Sequence, residues 1–281
     1  MIAPNNFLDI EIYFHLGVER TGTKYLQKSI FPFYEGIHFI NKDRYHRAKE
    51  IITRREYKRY LVSMELNLSP MFEEYVSDFA KNFPHAKCIM VIRRQDEWLL
   101  SHYKRIIKNG EQKTFKEFLN LETEESVYKR NDLLYMDKIQ ILESHFNNKP
   151  LYILYDTLDA NPIAYLKEIA TFVKVPFNPR TVDLKKRHVS YNKKQLKAIK
   201  WVRKYVNIDR RKPSNSKVLN LFHRIYVDLI RYIVIYGTYL IPGKASEEKA
   251  LVSTSELKEI RDFYQKDWEA TKNYVKKSKL L

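Results

Sequence analysis

Short apolar runs alternate along this chain with longer stretches in which apolar residues recur every three or four positions. Residues 10–16 form a β-rich run that ends at Gly17, and 23–30 read as a helix closed by Pro32. A second strand is predicted over 60–64. Over 71–83 the spacing predicts a helix with Met71, Tyr75, Val76, Phe79 and Phe83 on one face. The run 88–92 is apolar without interruption, as for a strand buried on both sides. Helices follow over 95–108, ended by Asn109-Gly110, and over 131–146, then a strand over 151–155 and a helix over 163–173. Apolar strands alternating with amphipathic helices predict an α/β fold, three-layered and P-loop-like, with a central, mostly parallel sheet flanked by helices. Such sheets bind ligands at the carboxyl ends of their strands.

The pattern changes after Pro179. Residues 218–241 form an apolar helix interrupted by His223, Arg224, Asp228 and Arg231. From Ser253 a charged helix carries Leu257, Ile260, Phe263, Tyr264 and Trp268 on one face. The expected organisation is a core over 1–180, with a basic segment and helical extension over 181–281 packed on the same domain. Composition narrows the chemistry. One cysteine among 281 residues excludes an internal disulfide framework and a cysteine-rich zinc site, and no metal is expected. Lys and Arg outnumber Asp and Glu by 51 to 34, a net charge of +17, so a polyanionic partner is the first expectation. Of that excess, +12 falls within 185–217, where 13 cations meet only Asp209. The amino-terminal residues lack a signal-peptide pattern, and no apolar run is long enough to span a bilayer, so the expected location is the cytoplasm.

Candidate chemistry begins at Gly17-Val-Glu-Arg-Thr-Gly-Thr-Lys24, between a strand and a helix. Amides at such a turn form an anion cradle. Gly17 and Gly22 have the spacing of a nucleotide-triphosphatase loop, but Thr23-Lys24 inverts the order that places Lys on the β/γ-phosphates and a hydroxyl on Mg²⁺. Arg20 adds a cation inside the loop. These residues alone leave open a phosphate loop without magnesium or an ordinary βα turn.

The loop 15–26 resembles the 5′-phosphosulfate loop of the sulfotransferases that use 3′-phosphoadenosine 5′-phosphosulfate (PAPS), with Arg20 where most members carry Lys and Lys24 where a hydroxyl is usual. A second segment, Ile92-Arg-Arg-Gln-Asp-Glu-Trp-Leu-Leu-Ser101, resembles the 3′-phosphate motif of that family, an Arg at a strand end and a Ser eight residues later. The residues around 151–175 are similar to the family's late strand and helix. The resemblance implies that Arg20, Thr21, Gly22, Thr23, Lys24 and Tyr25 hold the 5′ end of the donor, and that Arg93 and Ser101 hold its 3′-phosphate. It also implies a basic gate over the nucleotide from 185–192, including Arg187, although the Arg-Lys-Gly motif of the soluble animal enzymes is absent.

The reaction implied is in-line sulfuryl transfer from PAPS to a hydroxyl or amine of a carbohydrate or glycolipid. Arg20 would meet charge on the leaving oxygen as a cation, since it cannot give up a proton at neutral pH. Glu65, just beyond the predicted strand 60–64, is the expected general base, with His46, His102 and His188 as competitors. The alternatives are a P-loop kinase, which needs ATP and Mg²⁺, and a basic nucleic-acid- or membrane-binding protein. Aromatics in 185–217 are too few for a base-stacking platform, so no nucleic-acid partner is expected. Beside that basic run, the apolar helix 218–241 could rest on an anionic membrane, at its inner face. Oligomeric state is left open.

Overall fold

Five strands pair in parallel in the order β2-β3-β1-β4-β5: β1 (Glu11–Val18), β2 (His38–Ile40), β3 (Arg59–Leu66), β4 (Lys87–Ile92) and β5 (Leu151–Leu154). In the computed structural model the described residues are 9–68, 71–181, 193–209, 215–240 and 251–279. Arg187 and His188 lie outside them. The helices are α1 (Thr23–Tyr25), α2 (Ala48–Thr53), α3 (Phe72–Asn82), α4 (Gln95–Lys108), α5 (Phe115–Phe118), α6 (Tyr135–His145), α7 (Tyr155–Ala160), α8 (Pro162–Phe172), α9 (Lys193–Val202), α10 (Lys217–Gly237) and α11 (Thr254–Ser278). This is the expected α/β fold with a parallel sheet. Alternate residues of β1 serve its two faces, as strand geometry requires. Tyr13 joins Leu61, Ile89 and Ile153 beneath α8, whereas Phe14 stacks on Phe79 of α3 at 3.9 Å between ring centroids. Both faces are covered, which is why 88–92 reads as an unbroken apolar run.

Chain contacts divide the protein into two compact units. The first comprises 1–95, 131–187 and 264–281, and contains the whole sheet. The second comprises 96–130 and 188–263. Its described core includes Ile199, Ile208, Val227 and Ile235, and Arg261 donates two hydrogen bonds to the buried Asp96 at 3.0 and 2.9 Å.

Several local expectations are corrected. The helix predicted over 23–30 is α1 followed by a wide π turn, Leu26–Ile30, whose buried Gln27 donates to Ser63 at 2.9 Å. The helix predicted over 131–146 is broken. A 3₁₀ turn, Arg130–Leu133, precedes α6, because the Asp267 carboxylate of α11 accepts from the amides of Tyr135 at 3.0 Å and Met136 at 3.1 Å. A distant residue thus supplies the helix cap that Leu134 cannot. On α3 the buried face is Phe72, Val76 and Phe79, with Met71 exposed just before the helix. On α11 Phe263 is exposed while Ile260, Tyr264 and Trp268 are buried. β2 is too short for its alternation to register in the sequence.

Candidate active site at the carboxyl edge of the sheet

β1 lies centrally, and the chain leaves its carboxyl end toward β2 while it leaves β4 toward β5, on the opposite side. Divergence of two neighbouring connections opens a crevice at that edge. The loop 17–24 fills this position. Gly17 is required there by contact: a Cβ would lie 2.3 Å from Thr23 Cγ2 and 2.7 Å from the Met64 carbonyl. Gly22 turns with φ 83° against Leu158 of α7, and Arg20 itself holds a positive φ of 67°. The buried hydroxyls of Thr21 and Thr23 both donate to the Val18 carbonyl, at 2.6 and 2.8 Å. These hydroxyls therefore brace the loop from beneath. The loop runs directly into α1, where the amides of Thr23 and Lys24 lack intrahelical acceptors while that of Tyr25 donates to the Gly22 carbonyl at 2.9 Å.

Charged side chains gather around this loop. Arg93 follows the last residue of β4 and donates through Nη1 to the Arg20 carbonyl at 3.1 Å. Its guanidinium lies 4.5 Å from the ring centroid of Tyr155, and Tyr135 Oη donates to the Arg93 carbonyl at 2.5 Å. Sequence reasoning missed Tyr155 and Tyr135. Only their places at the start of α7 and of α6 mark them. Glu65 is inside β3, not beyond its end, because the strand runs on to Leu66. It pairs in register with Gly17. Its mostly buried carboxylate receives Lys42 Nζ at 2.6 Å and lies 3.7 Å from Lys24 Nζ. Sequence reasoning missed Lys42 as well.

A cavity of about 340 Å³ opens beside Glu65, lined by Glu19, Lys42, Asp43, Tyr45, His46, Met64 and Glu65. The structure thus brings Arg20, Lys24, Glu65 and Arg93 to one edge, with His46 on the cavity wall. Tyr25 packs half-buried against the core beneath. Ser101 is buried on α4 in the second unit. His102 is a core residue of that unit, stacked against Trp98 and Phe118 with centroids 5.0 and 5.4 Å apart.

His15, two residues before Gly17, is fully buried, and its Nδ1 hydrogen-bonds Ser63 Oγ at 2.7 Å. Burial lowers its pKa from 6.5 to about 3. The unfolded chain binds a proton at His15 below pH 6.5 and the folded chain does not, so stability falls as pH drops from about 6.5 toward 3. The loss is about 1.4 kcal/mol per pH unit, or about 2 kcal/mol between pH 7 and 5. Urea unfolding at both pH values should show that component in the parent chain and not in His15→Gln. An identical pH dependence in both would assign the acid sensitivity elsewhere.

A model of the sulfotransferase family matches residues 37–179, from β2 through α8. No curated protein matches the chain. Among solved structures, a sulfotransferase from Alicyclobacillus acidocaldarius is similar at 15% identity and a TM-score of 0.49, covering 69% of this chain and 92% of that one. Mouse sulfotransferase SULT7A1, solved in complex with PAP, is similar at 18% identity and a TM-score of 0.48, covering 95% of this chain and 88% of that one. With half of its length, including β3, Arg93 and the late strand and helix, inside the family match, the chain belongs to the sulfotransferase family and is a sulfotransferase.

Proposed function

We propose that this sulfotransferase takes its sulfuryl group from PAPS and delivers it to a hydroxyl or amine of a carbohydrate or glycolipid. The observation that carries the reading is the tie between Arg93 and the loop: its guanidinium bonds the carbonyl of Arg20 at 3.1 Å, so a cation just past β4 is joined to the loop that carries Arg20 and Lys24 at the end of β1. The residues present fit a donor with phosphates at both ends. Backbone at Gly17 and Gly22 leaves no room for side chains, the amides of Thr21 to Lys24 open a helix, and Arg20, Lys24 and Arg93 supply charge.

PAPS supplies a sulfuryl group on a phosphate oxygen. The loop amides bind the 5′-phosphate, while the Thr21 and Thr23 hydroxyls fix the loop through Val18. Arg93 reads the 3′-phosphate with paired donors. Arg20 stabilises charge on the oxygen that leaves, which gains it as the oxygen–sulfur bond breaks. Glu65 accepts the proton of the acceptor hydroxyl as its oxygen bonds to sulfur. Lys42 and Lys24 hold the Glu65 carboxylate in place. The cavity beside Glu65 has the volume of a small-molecule subsite and a wall of carboxylates, Lys42 and His46, suited to the hydroxyls of a sugar.

Incubation with sulfur-labelled PAPS and a panel of glycans and glycolipids tests the reading. Label in the carbohydrate fraction is expected. Label confined to protein or phenolic acceptors would refute the acceptor class. Phosphoryl transfer from ATP with Mg²⁺, and no sulfuryl transfer, would favour the kinase alternative.

A further inference from the structure

α10 is turned inside out for a helix of a water-soluble unit. An amphipathic helix normally sends its apolar stripe inward and its polar residues to solvent. Here Phe222, Ile225, Leu229, Ile233, Tyr236 and Leu240, the last just past the helix end, follow one another at helical spacing on the outward side. Phe222 is 65% exposed, Ile233 62% and Leu240 86%. The inward side includes the apolar Val227 and Ile235, but also Thr238 and Arg231, which is 3% exposed and lies 3.8 Å from Asp228. Six large apolar side chains exposed along one stripe differ from the singly scattered apolar residues of an ordinary surface, and mark a contact surface.

Charge identifies the occupant. With Arg231 buried beside Asp228, α10 presents Lys217 and Arg224 to solvent, and α9 carries lysines at 194, 197 and 200 with no acid. A second copy would bring two surfaces of the same sign together. The tyrosines give a second indication. Tyr232, Tyr236 and Tyr239 form an exposed ladder, with ring centroids 6.1 and 6.4 Å apart. Exposed tyrosines of this kind suit the boundary between headgroups and acyl chains, where the ring is buried and the hydroxyl stays wet. Among the described residues no helix is long and apolar enough to cross a membrane. A helix that is apolar outward, cationic overall and unable to span fits the plane of the interface.

We propose that α10 docks this protein on an anionic lipid bilayer, lying in the interface with Phe222, Ile233 and Leu240 among the acyl chains. The proposal concerns the second unit alone and does not rest on the donor or acceptor proposed above.

Co-sedimentation of the full chain with vesicles tests it. Vesicles of phosphatidylcholine mixed with phosphatidylglycerol should bind the protein about tenfold more tightly than phosphatidylcholine alone, with weaker binding as salt is raised. The double substitution Phe222→Glu and Ile233→Glu should reduce that binding at least about tenfold, since each charge would enter the acyl region. Because both side chains face outward, its thermal unfolding should match the parent's. Should the double variant unfold early, Phe222→Ser with Ile233→Ser provides the same test with smaller changes. Failure to bind anionic vesicles would overturn the proposal, as would equal binding to both compositions. A lipid-free dimer that the double variant dissociates, with no vesicle binding, would assign the face to a second copy.

Discussion

Replacing Arg20 with Gly should lower turnover by about 10²–10³-fold while leaving the fold intact. Position 20 allows this separation because its φ is 67°, a conformation that glycine adopts without cost and that Ala would strain. The Arg20 backbone contributes the carbonyl that Arg93 bonds at 3.1 Å, and Gly retains that carbonyl. What disappears is the guanidinium alone, and with it the charge set against the departing oxygen. Donor affinity should fall less than turnover, because an interaction formed with developing charge acts mainly in the transition state. Arg20→Lys restores a cation at the same place and should recover much of the rate. A Gly variant within about threefold of the parent rate would remove Arg20 from the chemistry.

Glu65→Gln is expected to cost about 10²–10⁴-fold in kcat with donor binding nearly unchanged. Gln keeps the shape of the side chain and can still accept a hydrogen bond from Lys42, which now bonds Oε2 at 2.6 Å. It cannot take the acceptor's proton. The distinguishing readout is the split between kcat, which should fall, and the Kd for the donor, which should stay within about twofold of the parent's. His46 lines the same cavity and is the internal control. If His46→Ala abolishes turnover and Glu65→Gln does not, the base is His46.

The fold was legible wherever a pattern was local and long. The runs 88–92 and 60–64 became β4 and β3, and α4 begins and ends where its sequence signals lie. Features that depend on a distant partner were not legible. The break before α6 is made by Asp267, 132 residues away from Tyr135, and no local signal announces it. β2 exists because β3 offers it an edge, with His38 paired to Tyr60. At the candidate site, the places of the loop at the end of β1 and of Arg93 just past β4 could be read, because each follows an apolar run that marks its strand. Lys42, Tyr135 and Tyr155 could not, since each reaches the site from another element and is of a residue type common on ordinary surfaces. The exposed stripe of α10 was legible as an apolar helix, but which side faced water was not.

Ligand-induced stabilisation tests the central claim most directly: that the end of β1 holds a nucleotide phosphorylated at both its 3′ and 5′ positions. Adenosine 3′,5′-bisphosphate at a hundredfold over its Kd should stabilise the chain by about 2.7 kcal/mol, a rise in Tm on the order of 5 °C. Adenosine 5′-phosphate at the same concentration should give much less, and Arg93→Ala should bring the two nucleotides level. Stabilisation by ATP with Mg²⁺ and none by adenosine 3′,5′-bisphosphate would contradict the account.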